Sequence, residues 1–335
     1  MKDDSQHSIA ALEAEYRALA AIGQGLAEEL SRQLAKLLQD ADVPLAVPIQ
    51  QRVKSWRSLA EKFERGVAEL NSVKDVQDLV GLRIIVLFRR DIERASDLIR
   101  QHLAVIRSYD TGERLKEDQF GYSSVHFVVC LPETWLSLPS LAGTRGLIAE
   151  IQLRTLAQHM WAEASHFLQY KREDSVPNAI RRSLSRSSAM LETLDLEFDR
   201  VLTQREEYRN EIDLSGPDEN LNVDVLEKCL DALLPPDNKD DDEDYAELLA
   251  ELKLLSVSSI DKLRTLVSKR LNEILQEDRA RVRDEQARLS AGLDVVGTES
   301  SRIVRGVYFT HVGLTRTAVR REFGHDWREK LKGTL

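Results

Sequence analysis

The chain has 335 residues, of which 42% are hydrophobic and 31% charged, with 15 glycines and 8 prolines. This composition excludes a disordered, collagen-like or disulfide-rich protein, and the length suffices for one or two domains with substantial cores. The net charge of −10 argues against a protein that coats nucleic acid non-specifically, although it is compatible with a local basic groove.

The sequence shows no sign of a membrane or export segment. No apolar run approaches the roughly 18 residues of a membrane helix, and the start MKDDSQHS is polar and acidic, unlike a secretory signal. We therefore expect a cytoplasmic protein without a membrane partner. The two cysteines, Cys130 and Cys229, have no metal-site spacing and are interpreted as reduced and structural.

The amino-terminal part of the chain is predicted to form two helices separated by prolines. Apolar residues recur at spacings of three, four or seven over residues 9–38, which is typical of one long amphipathic helix. Pro44 and Pro48 then interrupt the chain, and a second helical stretch covers residues 56–70. We interpret residues 1–44 as an amino-terminal amphipathic helix.

The next segment has strand patterns. Residues 79–88 (LVGLRIIVLF) form a nearly continuous aliphatic run, which predicts a strand buried on both faces. A helix is predicted over 91–103 with Asp91 as its N-cap, then a weak strand over 104–109 and further strands over 125–131 and 147–153. Because helices do not alternate with every strand, the predicted fold class is α+β, a mixed β-sheet domain flanked by helices.

From Thr155 onwards the pattern is mostly helical. Helices are predicted over 180–209, 223–234, 245–255 and from 260 to beyond 283, and the acidic stretch 237–244 (DNKDDDED) predicts a solvated linker or loop. We interpret residues 176–335 as a mostly helical regulatory or interaction region that senses a protein partner; a packing scaffold or homo-oligomer arm is the alternative.

The basic tail over residues 302–332 carries four aromatic residues. They indicate either a small core, which we prefer, or a surface for RNA or a protein groove; the four are Tyr308, Phe309, Phe323 and Trp327.

Candidate chemistry lies at the ends of the predicted strands. The chain has no Walker A loop, GxGxxG, HExxH or paired CxxC motif, which excludes the common nucleotide and zinc signatures. Asp78 precedes the first buried strand and Glu150 lies in the last, and two carboxylates at one end of a sheet can hold Mg²⁺. The alternative, equally compatible with the pattern alone, is that Asp78 caps a turn and Glu150 pairs with Arg83 or Arg154.

Four segments resemble, in order and spacing, the RelA/SpoT nucleotide pyrophosphokinase domain. They are RVKS at 52–55, DLVGLR at 78–83, GYSSVH at 121–126, and EIQLRT at 150–155 with the following HMWAEASHFLQYK. The resemblance implies a synthetase domain over residues 45–175. It also implies the family's reaction, in which the β,γ-pyrophosphate of ATP moves to the 3′-hydroxyl of a guanine nucleotide (GDP or GTP), giving (p)ppGpp and AMP with Mg²⁺ as cofactor.

The resemblance also implies which residues bind ATP and the metal. Asp78 would coordinate Mg²⁺, and Glu150 would share the metal or take the proton of the attacking 3′-hydroxyl. Arg52 and Arg83 would stack on the adenine. The donor phosphates would be held by Lys54, Ser55 and Lys62 and by Arg114 and Lys116, although the last two are equally well explained as solvated loop charges.

On the acceptor side, Tyr122 would be the platform for the base, because Gly121 permits close approach of a planar ring. Without the resemblance, Tyr122 is an ordinary strand-entry residue, His126 a core histidine, and the stripe from His159 to Tyr170 a polar helix face. The other acceptor contacts implied are Ser124, His126, Gln152, Arg154, His159, Glu163 and His166.

Some features depart from the family pattern. Ser123 stands where a basic residue is usual, and the preceding loop reads KEDQF where a Pro-Asn pair is common. Two alternatives therefore stay open: a toxin-like pyrophosphokinase that modifies the tRNA 3′ end or adenine nucleotides and is restrained by its own carboxyl-terminal region, or a non-catalytic nucleotide-sensing interaction protein. We do not expect hydrolase activity, because only about 45 residues precede the synthetase region, and His325 with Asp326 is a poor metal-site candidate.

Overall fold

The computed structural model describes residues 2–64, 72–114, 124–168, 177–215, 220–240, 243–324 and 327. The chain divides into two compact units, Met1–Thr203 and Gln204–Leu335. Within the described ranges, no helix is both long and apolar enough to cross a membrane. Cys130 and Cys229 are both free thiols, as predicted.

The first unit contains a five-stranded sheet with helices around it. Its strands are β1 (Gln50–Val53), β2 (Val80–Val86), β3 (Ala104–Asp110), β4 (Val125–Cys130) and β5 (Ala149–Thr155). Its helices are α1 (Lys2–Asp40), α2 (Trp56–Glu64), α3 (Arg90–His102), α4 (Leu156–Phe167) and α5 (Asn178–Glu211), the last of which continues past the boundary of the unit.

The strand order in the sheet is β1-β2-β5-β4-β3. β2 and β5 pair in parallel, and the other three pairs are antiparallel. The predicted α+β class with a mixed sheet is therefore confirmed.

One face of the sheet forms the core and the other is polar. Val80, Leu82, Ile84 and their neighbours on β5 and β4 are at most 2% exposed and belong to one hydrophobic cluster. On the opposite face β2 carries the partly exposed Gly81 and Arg83. The prediction that this strand is buried on both faces is wrong at Gly81 and Arg83, whereas Ile85 on their face is fully buried.

Helix α1 is an integral part of this core. Leu26, Leu30, Leu34 and Leu38 repeat every four residues, are each 1% exposed, and lie in the same cluster as the sheet. The Glu15 carboxylate also accepts hydrogen bonds from the Ser72 hydroxyl at 2.5 Å and the backbone N–H of residue 73 at 2.9 Å. The helix therefore anchors the segment that leads to Asp78.

Two details of the first unit differ from the sequence-based expectations. Strand β1 was not predicted, since its four residues QQRV lack an alternating apolar pattern and lie at the edge of the sheet. Helix α3 begins at Arg90 with Arg89 at the N-cap, so the prediction of Asp91 as N-cap is wrong. Asp91 is 1% exposed and pairs with Arg94 at 2.9 Å, and burial raises the pKa of its carboxyl.

The second unit is helical and has its own core. It contains α6 (Val223–Leu233), α7 (Tyr245–Leu254), α8 (Ile260–Ser290), α9 (Ser300–Arg305) and α10 (His311–Phe323), of which α9 and α10 were not predicted. Trp327 is buried in the core, and Phe309 and Phe323 pack against it, which confirms the small-core interpretation for these three aromatic residues.

Several charged side chains of the second unit form ion pairs or hydrogen bonds within that unit. Asp240 pairs with Arg302 at 2.7 Å, and the Glu243 carboxylate accepts the backbone N–H groups of His311 and Val312 at the start of α10. Asp240 and Glu243 therefore bind within the unit, and the prediction of a solvated linker or loop is wrong for them, whereas Asp237 of the same stretch is exposed. The basic residues of α10 are likewise paired with acids, namely Arg316, Arg320 and Arg321.

We predict that Leu30→Ala lowers the free energy of unfolding by about 3 kcal/mol, because it leaves a cavity between α1 and the sheet. Leu196→Ala on α5 is the matched control, since Leu196 is 49% exposed, and its effect should stay below about 0.5 kcal/mol. Urea denaturation measures both values. Equal effects of the two substitutions would show that α1 does not belong to the core.

Candidate active site

A cleft of about 530 Å³ opens on the polar face of the sheet. It is bordered by β1, β2, β5 and the turn before β2, and it contains both acids singled out in the sequence, Asp78 and Glu150. The remaining lining residues are Gln50, Gln51, Arg52, Gly81, Leu82, Arg83 and Gln152.

The register of the sheet places polar side chains in rows. Five residues, one from each strand, stand opposite one another across the whole sheet: Gln50, Arg83, Gln152, His126 and Tyr109. The next row on the same face contains Arg52, Gly81 and Glu150, because side chains two residues apart in a strand share a face. The two rows together form the floor of the candidate site.

Asp78 is held at the edge of the cleft by Lys54. The Lys54 ammonium donates to Oδ2 of Asp78, and the side chains are 11% and 26% exposed, respectively. The backbone N–H of Lys54 also donates to the carbonyl of Leu79 at 2.8 Å, which fixes the lysine beside the turn that carries the aspartate. An acid and a cation thus lie side by side where β1 and β2 meet.

Gly81 keeps the centre of the floor flat. A Cβ atom built on this glycine would lie 3.7 Å from Cγ of Arg52, so the arginine side chain passes directly over it. Arg83 lies two residues further along the same face of β2. The cleft lining therefore includes two arginines, and a guanidinium group stacks well on a flat ring.

Glu150 receives a hydrogen bond from each of three side chains. Oε1 is 2.9 Å from Nδ1 of His126 and 3.1 Å from the Tyr109 hydroxyl, while Oε2 accepts from the Gln152 amide at 3.1 Å. Burial raises the pKa of this carboxyl, but the hydrogen bonds from His126, Gln152 and Tyr109 outweigh it, and the pKa is lowered overall. The arrangement favours an ionised Glu150.

A positively charged wall adjoins the floor. Arg83 donates to Gln50 at 3.2 Å and to Glu163 on α4 at 2.9 Å. Arg154 is only 7% exposed, and burial together with the charge of Arg83 lowers its pKa to about 10. Burial and the same two arginines lower the pKa of His159. The wall therefore contains two arginines and one carboxylate, Glu163, and the lowered pKa favours a neutral His159.

The start of α4 is fixed by a capping box. The Thr155 hydroxyl accepts the backbone N–H of Gln158, whose side chain in turn accepts the backbone N–H of Thr155 at 2.9 Å. The same hydroxyl donates to the buried Asp195 of α5 at 2.6 Å, and burial raises the pKa of that aspartate. These contacts fix α4, which carries His159 and Glu163, relative to β5.

The structure places the sequence-predicted residues at varying distances from the cleft. The lining contains Arg52, Asp78, Arg83, Glu150 and Gln152, and Lys54 joins through Asp78. Ser124 and His126 are linked to Glu150 by hydrogen bonds, whereas Arg154, His159 and Glu163 form the wall.

Other predicted residues lie apart from the cleft lining or outside the described part of the chain. Ser55 accepts the backbone N–H of Ser58 at the start of α2, and His166 is exposed on the last turn of α4. The side chains of Lys62 and Arg114 lie outside the described part of the chain. Seven further residues lie wholly outside it: Lys116, Gly121, Tyr122, Ser123, Tyr170, His325 and Asp326.

Sequence reasoning missed Gln50, Gln51 and Tyr109. The glutamines lie in the short edge strand whose pattern carries no signal. Tyr109 lies at the end of the range 104–109, which was predicted only as a weak strand. Its position beside His126 depends on the β3–β4 register.

The cleft offers two carboxylates to a metal. In the part of the chain that the structure describes, no group of three or more His, Cys, Asp or Glu side chains could hold an ion. This does not suit a three- or four-ligand zinc centre built from those residues. It does suit Mg²⁺, which is commonly bound through one or two carboxylates, waters and substrate phosphates.

Comparison with known proteins places the chain in a family. Residues 51–175 match the model for the region found in RelA/SpoT proteins. The chain is 34% identical over 152 residues to the GTP pyrophosphokinase YjbM of Bacillus subtilis, covering 45% of this chain and 69% of that protein. This chain belongs to the RelA/SpoT family, and it is an enzyme of the nucleotide pyrophosphokinase type.

Two further similarities concern the same region. The GTP pyrophosphokinase YwaC of Bacillus subtilis is 29% identical over 149 residues, covering 43% of this chain and 68% of that protein. The crystal structure of the small alarmone synthetase 1 from Bacillus subtilis superposes with a TM-score of 0.48 and 28% identity, covering 58% of this chain and 99% of that one.

We predict that Gly81→Val weakens binding of a non-hydrolysable ATP analogue by at least tenfold. A branched side chain would project from the floor of the cleft against Arg52, whose Cγ lies 3.7 Å from a Cβ built at this position. Isothermal titration calorimetry measures the affinity, and circular dichroism checks the fold, which a β-branched residue in a strand should preserve. Gly25→Ala is the control, because a Cβ there meets no atom within 4 Å. Unchanged affinity in Gly81→Val would place the nucleotide elsewhere.

Proposed function

We propose that this enzyme transfers the pyrophosphate of ATP to the 3′-hydroxyl of GDP or GTP, giving (p)ppGpp and AMP. The observation that carries the proposal is the position of Asp78 and Glu150 in one cleft whose floor is flanked by Arg52 and Arg83. The similarity to two GTP pyrophosphokinases supports the choice of acceptor.

The reaction is an in-line displacement at phosphorus. The acceptor 3′-oxygen attacks the β-phosphorus of ATP, the bond from that phosphorus to the α–β bridging oxygen breaks, and AMP leaves with that oxygen. Glu150 takes the proton of the 3′-hydroxyl, which its lowered pKa permits because the carboxylate is ionised at neutral pH. Positioning and neutralisation of charge supply most of the rate in such transfers.

The donor nucleotide occupies the β1–β2 side of the cleft. Arg52 and Arg83 stack on the adenine above Gly81, and Lys54 reaches the donor phosphates from its position beside Asp78. Asp78 would hold Mg²⁺ through a carboxylate oxygen, and Glu150 would act as the base and not as a second ligand. When bound, the ion would neutralise phosphate charge and polarise the phosphorus under attack.

The acceptor occupies the β5–β4 side. Gln152 and His126 continue the floor there, and Arg154, His159 and Glu163 provide the wall against which phosphate or ribose groups lie. Ser124, the residue before β4, lies 2.8 Å from Nε2 of His126, and Tyr122, which is outside the described residues, stays the proposed base platform. The described contacts fit a nucleotide whose anionic end meets the arginines.

We predict that ATP labelled at the γ-phosphate transfers its label to GDP or GTP with stoichiometric release of AMP. Asp78→Asn and Glu150→Gln should each lower kcat at least 100-fold, because one removes a metal-binding charge and the other a general base. Asp97→Asn is the matched control, since Asp97 is 58% exposed on α3 and pairs with Arg100. Its activity should equal that of the wild type.

Parallel reactions with ATP, AMP and uncharged tRNA as acceptors define the substrate. Label in tRNA or in adenine nucleotides, without label in guanine nucleotides, would overturn the proposed acceptor while leaving the pyrophosphokinase chemistry intact. Binding of ATP without AMP formation under every condition would overturn the catalytic proposal and favour a nucleotide-sensing protein.

A further inference from the structure

The two oxygens of Glu150 have different surroundings. Oε1 accepts from two donors, the Tyr109 hydroxyl at 3.1 Å and Nδ1 of His126 at 2.9 Å. Among the residues that the structure describes, Oε2 accepts from Gln152 only, at 3.1 Å. A carboxylate oxygen offers about two lone pairs, so the described bonds saturate Oε1 and leave one position on Oε2.

The protonation of His126 follows from its partners. An ionised carboxylate can only accept, so Nδ1 of His126 must carry the hydrogen that faces Glu150. Nε2 is 2.8 Å from the hydroxyl oxygen of Ser124, which can donate its hydrogen to a neutral ring nitrogen. Ser124 therefore favours the tautomer that points a donor at Oε1.

The orientation of Gln152 is fixed in the same way. Arginine has only donors, so the atom of Gln152 that lies 2.6 Å from the Arg154 guanidinium is the amide oxygen. The amide nitrogen then faces Oε2 of Glu150. Each partner of the carboxylate thus has one chemically permitted orientation.

Tyr109 is itself held in place. Its ring stacks on that of His126 with centroids 4.8 Å apart and an interplanar angle of 17°, and the Arg107 guanidinium lies 5.2 Å from its centroid. Tyr109 is on β3, at the opposite edge of the sheet from β1, the strand that carries Arg52. Its hydroxyl can act on the reaction through Glu150.

We propose that Tyr109 is a positioning residue that, with His126, clamps Oε1 of Glu150, so that Oε2 is the oxygen that takes the acceptor proton. This inference rests on the proposed function. The clamp stops rotation of the carboxylate about its last bond and keeps the open lone pair of Oε2 directed into the cleft. General-base catalysis depends on that geometry, because the oxygen must be within hydrogen-bond reach of the proton it removes.

Tyr109→Phe tests the clamp, because it removes only the hydroxyl and retains the ring that stacks on His126. A hydrogen bond to a charged group contributes enough for us to expect a fall in kcat of about tenfold. The KM for ATP and the KM for GDP should both stay within about twofold, and the melting temperature within about 2 °C. A purely structural role would instead lower the melting temperature without this separation of kcat from KM.

Tyr308→Phe in the second unit is the matched control, since its hydroxyl also donates one hydrogen bond at 3.1 Å, to the carbonyl of Val296. Its kcat should be that of the wild type. Ser124→Ala is a second test, which should also lower kcat because Nε2 loses the donor that favours the required tautomer. If Tyr109→Phe fails to fold, an unchanged kcat in Ser124→Ala overturns the inference.

The outcomes separate this inference from the function on which it rests. Wild-type protein that forms no AMP with any acceptor refutes the proposed function, and the clamp with it. Active wild type with an unchanged kcat in Tyr109→Phe refutes the clamp alone. A raised KM for GDP at unchanged kcat also refutes it, because the hydroxyl would then contact the acceptor and not position Glu150.

Discussion

The parallel pairing of β2 with β5 is the constraint on which the candidate site depends. It puts Gly81 opposite Glu150 and Arg83 opposite Gln152, so that residues far apart in the chain share one floor. Side chains alternate with a period of two, and a slip of one residue would turn Glu150 into the hydrophobic core. The aliphatic residues on the other face, such as Ile84 and Ile151, therefore fix the register of the polar face by being buried.

Polar residues on this sheet are supported by partners on neighbouring strands. Glu150 is 13% exposed at the side chain, and a carboxylate at that depth would be costly without hydrogen bonds. Tyr109, His126 and Gln152 supply them from β3, β4 and β5. The core face, packed against α1, supplies the apolar burial that stabilises the sheet as a whole.

The fold could be predicted from the sequence wherever the hydrophobic pattern was strong. Four of the five strands and the mixed sheet followed from short apolar runs and from the order of elements. The edge strand β1 could not be found, because an exposed four-residue strand such as QQRV is defined by pairing and not by pattern. The start of α3 was also misplaced. Aspartate is a residue type that often caps helices, but Asp91 lies inside the first turn, buried against Arg94.

The candidate site was predictable in part through the motifs, which singled out Asp78, Glu150 and the arginines that the structure brings to one cleft. Tyr109 was beyond reach, since its relation to Glu150 passes through two strand pairings, β3 with β4 and β4 with β5. Sequence motifs identify residues that contact a ligand directly. Residues that act through a neighbour become visible only when the register is known.

The two units use charge in different ways, and this difference separates a candidate site from a scaffold. In the second unit Glu243 closes the start of α10, and Arg316 pairs with Glu247 and Glu251, so these charges satisfy one another or a helix end. In the first unit Asp78, Glu150 and Arg83 also have partners, but all three line one open cleft. The net charge of −10 does not distinguish the candidate site from the scaffold. The two differ in which charged side chains the strand register brings into the same cleft.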